Sequence, residues 1–224
     1  MEKIIKPDIS TIPTLSELKK NSVQWGQDFE AYLKKGGKSS DFTFHKQKGL
    51  YHEIRHQLSL ITAAHCTFCD SYPISTISKE TLEHYYPKKE FPLKAYDWVN
   101  LFYCCDKCQS EANKVKFQET LKPDTSDYEF SACFYFDLES GKLQVLENLA
   151  IDNPDLFIRA NAFLIRYGSN NSSRAMARKR TYKDIENHFI AKKETNDNRE
   201  RDDFPYRCVY DYYTYRQSVK VHNI

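Results

Sequence analysis

The chain has no long hydrophobic run. Nothing in its 224 residues approaches the ~20 consecutive apolar residues of a membrane helix, so no membrane span is expected. The first residues, Met1-Glu2-Lys3-Ile4-Ile5-Lys6-Pro7, lack the apolar centre of a secretory signal, and a cytoplasmic location is expected. A dominant charge is missing too. Lys and Arg number 33 against 31 Asp and Glu, a formal net charge of +2, so any nucleic-acid footprint must be local rather than global. Internal repeats and low-complexity domains are absent. In a reducing compartment the seven cysteines do not read as a disulfide framework; paired cysteines there read as metal ligands or redox centres. With 40% hydrophobic and 29% charged residues, the expected core is modest and a metal staple would reinforce it.

The patterning predicts a mixed α+β chain. Residues 1 to about 22 carry Pro7 and Pro13 and read as an extended arm. A helix is expected from Ser22 to Lys35, ended by Gly36-Gly37. A second is expected from Lys48 to Ala63, with Leu50, Ile54, Leu58 and Ile61 on one face. His52 and His56 lie one turn apart on it and read as exposed or packed histidines before they read as metal ligands. Alternation around Phe130, Ala132, Phe134 and Phe136, then Leu143, Val145 and Leu146, predicts a hairpin turning at Glu139-Ser140-Gly141-Lys142. Helices are expected over Asn153–Tyr167 and Ser172–Lys193, followed by a charged, mobile loop over 194–203. The division by motif is 1–63, an N-terminal arm with helices; 64–118, a motif-bearing core; and 119–224, a hairpin and helical extension.

The core opens with Cys66-Thr-Phe-Cys69 and closes with Cys105-Asp-Lys-Cys108. Two Cys-x-x-Cys knuckles place four thiolates around one tetrahedral Zn²⁺. Cys104 is an alternative to Cys105, which is preferred because it keeps the two-residue spacing. A thioredoxin-like redox role needs a single such pair in a βαβ setting, which is absent. Cys104, Cys133 and Cys208 remain as buried, inert thiols.

Between the knuckles lie Glu83-His84-Tyr-Tyr-Pro87-Lys88 and Trp98-Val-Asn100-Leu101. A carboxylate suits Mg²⁺ or another hard divalent ion. A histidine, with an ordinary pKa of about 6.5, suits general-base work near neutrality. Along a straight strand the two side chains point to opposite sides; a bent strand end can aim both at one phosphate. After Cys108 a short helix places Gln109 and Asn113 on one face, where they can offer amide oxygens to the same ion. Trp98 reads as core packing.

The ordered set Cys-x-x-Cys, Glu-His-x-x-Pro-Lys, Trp-x-Asn-Leu and Cys-x-x-Cys over 66–118 resembles the HNH endonucleases of the ββα-metal type. It is similar to the PtuB family of Septu anti-phage systems, including versions that accompany retrons. The resemblance implies a zinc-stapled ββα-metal core flanked by α-helical extensions, and a metal-dependent nuclease cutting DNA or RNA. It implies His84 as general base, Glu83 as ligand of the catalytic divalent ion together with Gln109 or Asn113, and Asn100 as the residue that holds the inter-strand loop. Lys88 and Lys114 are near enough in sequence to meet phosphates. It also implies a PtuA-type ATPase partner, in some systems with a retron reverse transcriptase and its RNA/DNA. One departure stands out: many HNH proteins carry His or Asn where this chain has Gln109. A non-catalytic zinc-ribbon adaptor, binding nucleic acid or an ATPase, is the rival expectation.

Two features lie outside that core. Ser172–Arg180 is the densest basic stretch, fit either to follow a nucleic-acid backbone or to form a solvated helix face. Tyr206–Arg216 is aromatic and basic, read either as a partner interface or as a C-terminal strand packed in the core.

Overall fold

The computed structural model describes residues 1–44, 49–126, 128–191 and 198–221. Its N-terminal residues are not an extended arm. Met1, Ile4, Ile12 and Leu15 are buried, and the Ile4 amide donates to the Pro123 carbonyl at 2.7 Å. The apolar side chains of this segment outweigh its prolines, which instead start tight turns such as Pro13–Leu15. Helix α1, Ser16–Lys34, therefore begins six residues before the expected Ser22. It crosses the turn Pro92–Lys94 so closely that a Cβ on Gly26 would lie 2.6 Å from the Leu93 carbonyl oxygen. Helix α2, Leu50–Ile61, buries Leu50, Ile54 and Leu58 as its spacing predicts; His52 and His56 face solvent. Lys48, the expected start of that helix, lies outside the described residues.

The motif-bearing segment starts with the short helix α3, Ile74–Ile77. Strand β1, Glu80–His84, and strand β2, Leu101–Cys105, then form an antiparallel pair in the register Leu82 to Tyr103 and His84 to Leu101. Helix α4, Asp106–Ala112, comes at once after β2 and packs on both strands. Both strands are almost wholly buried, because α2 covers the pair as well. Trp98 is buried as expected, but against the N-terminal segment: its ring N–H donates to the Pro7 carbonyl and Lys6 lies over its ring.

The C-terminal extension holds helix α5, Phe130–Cys133, strands β3, Phe134–Phe136, and β4, Leu143–Val145, and helices α6, Leu149–Asp152, and α7, Pro154–Arg166. The expected hairpin is present but shorter, since Phe130–Cys133 coil into α5 instead of extending. Its turn passes close to helix α8, Ser172–Ala191. Gly141 adopts φ +73°, and a Cβ there would meet the Ala175 carbonyl oxygen. The final residues expected for α8, 192–193, and 194–197 of the charged loop lie outside the described residues. The rest of that loop is pinned by charge: Arg199 pairs with Asp184, and Arg201 pairs with Glu2 and Asp211.

The basic stretch is divided: Arg174 and Arg178 are buried, while Lys179 and Arg180 are exposed on the other side of the helix. The aromatic tail is helix α9, Arg207–Val221, packed against α8 and β3, and not a strand. Buried residues from all three segments join one contiguous core. The described residues thus form a mixed α+β protein with two small two-stranded sheets and a four-cysteine cluster. Among the described residues no helix is long and apolar enough to cross a membrane.

Candidate metal centre and the Glu83 cleft

The Sγ atoms of Cys66, Cys69, Cys105 and Cys108 all lie within 4.8 Å of one another. Cys66 and Cys108 are 3.7 Å apart, and Cys69 and Cys105 are 3.8 Å apart. A tetrahedron of sulfurs about 2.3 Å from a central zinc has edges of about 3.8 Å, so the cluster fits that ion. The first knuckle closes through the Asp70 amide, which donates to the Cys66 carbonyl at 2.9 Å while Asp70 takes a positive φ of 61°. The second is the first turn of α4, where the Cys108 amide donates to the Cys105 sulfur at 3.4 Å. Burial pushes the Cys66 and Cys108 thiols up, so a bound cation is what would keep four thiolates together. Cys104 takes no part. It faces Thr81, and burial pushes its thiol well up. Burial likewise raises the Cys208 thiol, and none of the seven cysteines is in a disulfide.

Glu83 and His84 end β1, and both line one cleft of about 430 Å³ with Pro87, Lys88, Gln109 and Asn113. The turn that leaves β1 aims neighbouring side chains at the same space. Glu83 is only 6% exposed. Burial pushes its carboxyl up to about 7, against the pull of Arg166, Lys88 and a hydrogen bond with Gln109. Its nearest cationic group, Arg166 Nη2, stands 3.8 Å away, so the buried carboxylate is under-compensated. The amide of Gln109 donates to the Leu82 carbonyl at 2.7 Å, which orients the side chain along β1. Asn113 caps α4 at its C-terminus and is exposed. Among the described residues, the four cysteines are the one cluster of three or more His, Cys, Asp and Glu ligand atoms. The cleft offers one buried carboxylate, Glu83, and an exposed one, Glu90.

His84 Nε2 lies 2.9 Å from the Ala95 carbonyl oxygen. A carbonyl only accepts, so Nε2 carries the proton and Nδ1 keeps the lone pair. Burial, then the nearby Lys88 charge, pushes the imidazole down to about 3, well below the near-neutral value expected for general-base work. The ring is therefore neutral at physiological pH and a weaker base than its ordinary pKa implies. Asn100 is 1% exposed and fixes the loop that supplies that carbonyl. Its Oδ1 accepts from the Tyr86 amide at 2.7 Å, and its Nδ2 donates to the carbonyls of Tyr86 and Lys94 at 3.0 and 2.9 Å. The chain of contact runs from Asn100 through residues 86–95 to the His84 ring.

Of the two lysines expected to meet phosphates, Lys88 lines the cleft, and burial pushes its ammonium down from the ordinary value. Lys114 is exposed and paired with Glu111 at 2.7 Å. Sequence reasoning missed three residues. Arg166, the last residue of α7, is buried, donates to the Tyr85 carbonyl at 2.7 Å and faces Glu83. Its signal was a cation three residues after Phe163 on the buried face of a helix. Phe42 and Phe44 flank the His84 ring, with centroids 5.3 and 6.2 Å away, and no periodicity in their loop announces them. They help line a second cleft, of about 690 Å³, that shares His84, Lys88 and Gln109 with the first.

No protein-family model matches the chain, and no curated protein matches it.

Proposed function

We propose that this protein is a metal-dependent endonuclease of the HNH, ββα-metal kind that hydrolyses phosphodiester bonds in nucleic acid. The observation that carries this reading is one cleft containing Glu83, Gln109 and a neutral His84 held through Nε2. The strand–strand–helix order of β1, β2 and α4 supports it, as does the four-cysteine cluster beside α4.

Each residue has a role that comes from its position. His84 Nδ1 takes a proton from water as that water attacks phosphorus, and the Ala95 carbonyl favours the imidazolium formed. Glu83 holds a divalent ion, Mg²⁺ or similar, with Gln109 or Asn113 adding amide oxygen. When bound, that ion supplies positive charge to the phosphorane-like transition state and the leaving oxygen. Lys88 lies where a substrate phosphate enters. Asn100 acts through the loop and is a positioning residue. Zn²⁺ in the four cysteines is structural.

The biological setting we propose is anti-phage defence in a PtuB-like role, with a PtuA-type ATPase and, in some systems, a retron reverse transcriptase with its RNA/DNA. The motif order over 66–118 supports this setting. A second reading, a non-catalytic zinc-ribbon adaptor, is favoured by one observation: among the described residues no group of three or more His, Cys, Asp and Glu ligands gathers in the cleft. His84→Ala separates the two. The nuclease reading predicts loss of cleavage of a mixed DNA and RNA pool with zinc content and circular dichroism unchanged. Cleavage at the wild-type rate by His84→Ala removes the catalytic assignment.

A further inference from the structure

Four thiolates around one divalent zinc carry a net double negative charge, and here all four sulfurs are buried. Buried charge is costly unless it is matched and hydrogen-bonded. Two backbone amides give partial compensation: Cys105 N–H to Cys66 Sγ and Cys108 N–H to Cys105 Sγ, each at 3.4 Å. The full positive charge comes from elsewhere in the chain. Arg174, on the first turn of α8, places Nη2 3.1 Å from Cys108 Sγ and 4.0 Å from Cys105 Sγ. Its Nη1 donates to the Tyr167 carbonyl, which locks the guanidinium plane. Arg174 is 4% exposed; burial opposes its charge, and the cysteine sulfurs more than restore it.

Arg178 supplies the internal comparison. It lies one turn further along the same buried face of α8, yet its guanidinium donates to the carbonyls of Gly141 and Ser169 and to no sulfur. Contact with the cluster is therefore specific to Arg174, not a general property of the basic stretch.

We propose that Arg174 is the built-in counter-charge of the zinc tetrathiolate, a positioning residue that retains the metal and ties α8 to the first turn of α4. That turn also carries Gln109, so the C-terminal extension braces the Glu83 cleft through the metal. The proposal rests on the four cysteines holding zinc and not on the nuclease reading.

Zinc release to a chromogenic chelator tests it, measured on the full chain at a temperature where circular dichroism shows every variant folded. Wild type is measured first for zinc content. Arg174→Met and Arg174→Gln are expected to release zinc about ten- to a hundredfold faster, the range seen when hydrogen bonds to metal ligands are removed. Arg174→Lys, which keeps the charge, is expected between them and wild type. Arg178→Met is expected to release at the wild-type rate. Wild-type release from Arg174→Gln overturns the proposal, and so does Arg178→Met releasing as fast as Arg174→Met, which would make the effect one of general packing. If Arg174→Met does not fold, Arg174→Gln and Arg174→Lys carry the same comparison. A wild-type protein without zinc removes the four-cysteine reading and the proposal together, while leaving the His84 test standing.

Discussion

The four-cysteine cluster and the Glu83 cleft share helix α4, yet they are finished to different degrees. The cluster has four ligands of one kind within 4.8 Å, all buried, with a cation and backbone amides turned toward them. The cleft has one buried carboxylate, a neutral imidazole and two amides around an open volume of about 430 Å³. A closed shell of soft ligands holds a structural ion; an incomplete shell of hard ligands leaves coordination positions for water and substrate. The difference explains why one site was readable from spacing alone. It also explains why the other depends on contacts made by distant parts of the chain.

Breaking the closed site should have the largest effect. Cys66→Ser or Cys108→Ser is expected to cost on the order of 10 kcal/mol of metal-linked folding energy, seen as lost zinc and a non-cooperative melt. A variant that melts like wild type would show that the cluster is not a staple. Next comes the loop clamp. Asn100→Ala removes three partly buried hydrogen bonds and should cost about 2–4 kcal/mol in urea unfolding. It should also slow cleavage while zinc stays bound, because the Ala95 carbonyl no longer holds the His84 ring.

The open site should respond to pH and the closed site much less. Glu83 must be ionised to hold a cation, and burial pushes its carboxyl up to about 7. Apparent Mg²⁺ affinity should therefore fall about tenfold per pH unit below 7 and level off above it, measured by calorimetry. For folding stability the two groups oppose each other. Glu83, raised from 4.5 to about 7, takes up a proton on folding between those values and stabilises the metal-free fold as pH falls, whereas His84 does the reverse. His84 is pushed down to about 3 when folded, against about 6.5 when unfolded, so the unfolded chain binds the extra proton between those values. Its contribution is present above about 6.5 and is lost as pH falls toward 3. The smallest effect is expected from Lys114→Ala, which removes an exposed pair with Glu111 worth less than about 0.5 kcal/mol and touches neither site. A large loss of cleavage in that variant would mean substrate crosses the outer face of α4.

The readable parts of the fold were those set by local periodicity. Leu50, Ile54 and Leu58 on α2, and the presence of the short hairpin with its turn near Gly141, come from spacing. The cysteine knuckles come from ligand chemistry. Unreadable parts were decided by tertiary contact. Residues 1–15 look like a polar, proline-bearing arm, but Met1, Ile4, Ile12 and Leu15 find apolar partners far along the chain. Arg174 and Arg178 look like surface charge until the sulfurs and carbonyls that bind them come into view. Arg166 beside Glu83 is the same case, since a sequence shows a cation but not the buried acceptor it meets.

The contrast between closed and open site comes down to whether the two separate. Zinc content and cleavage should be measured on the same preparations of wild type and His84→Ala, using a mixed pool of single-stranded DNA, duplex DNA and structured RNA with Mg²⁺. We expect one zinc per chain in both proteins and cleavage by wild type alone, reduced at least about a hundredfold by the substitution. Equal cleavage by both proteins, with zinc in place, would contradict the assignment of chemistry to the Glu83 cleft.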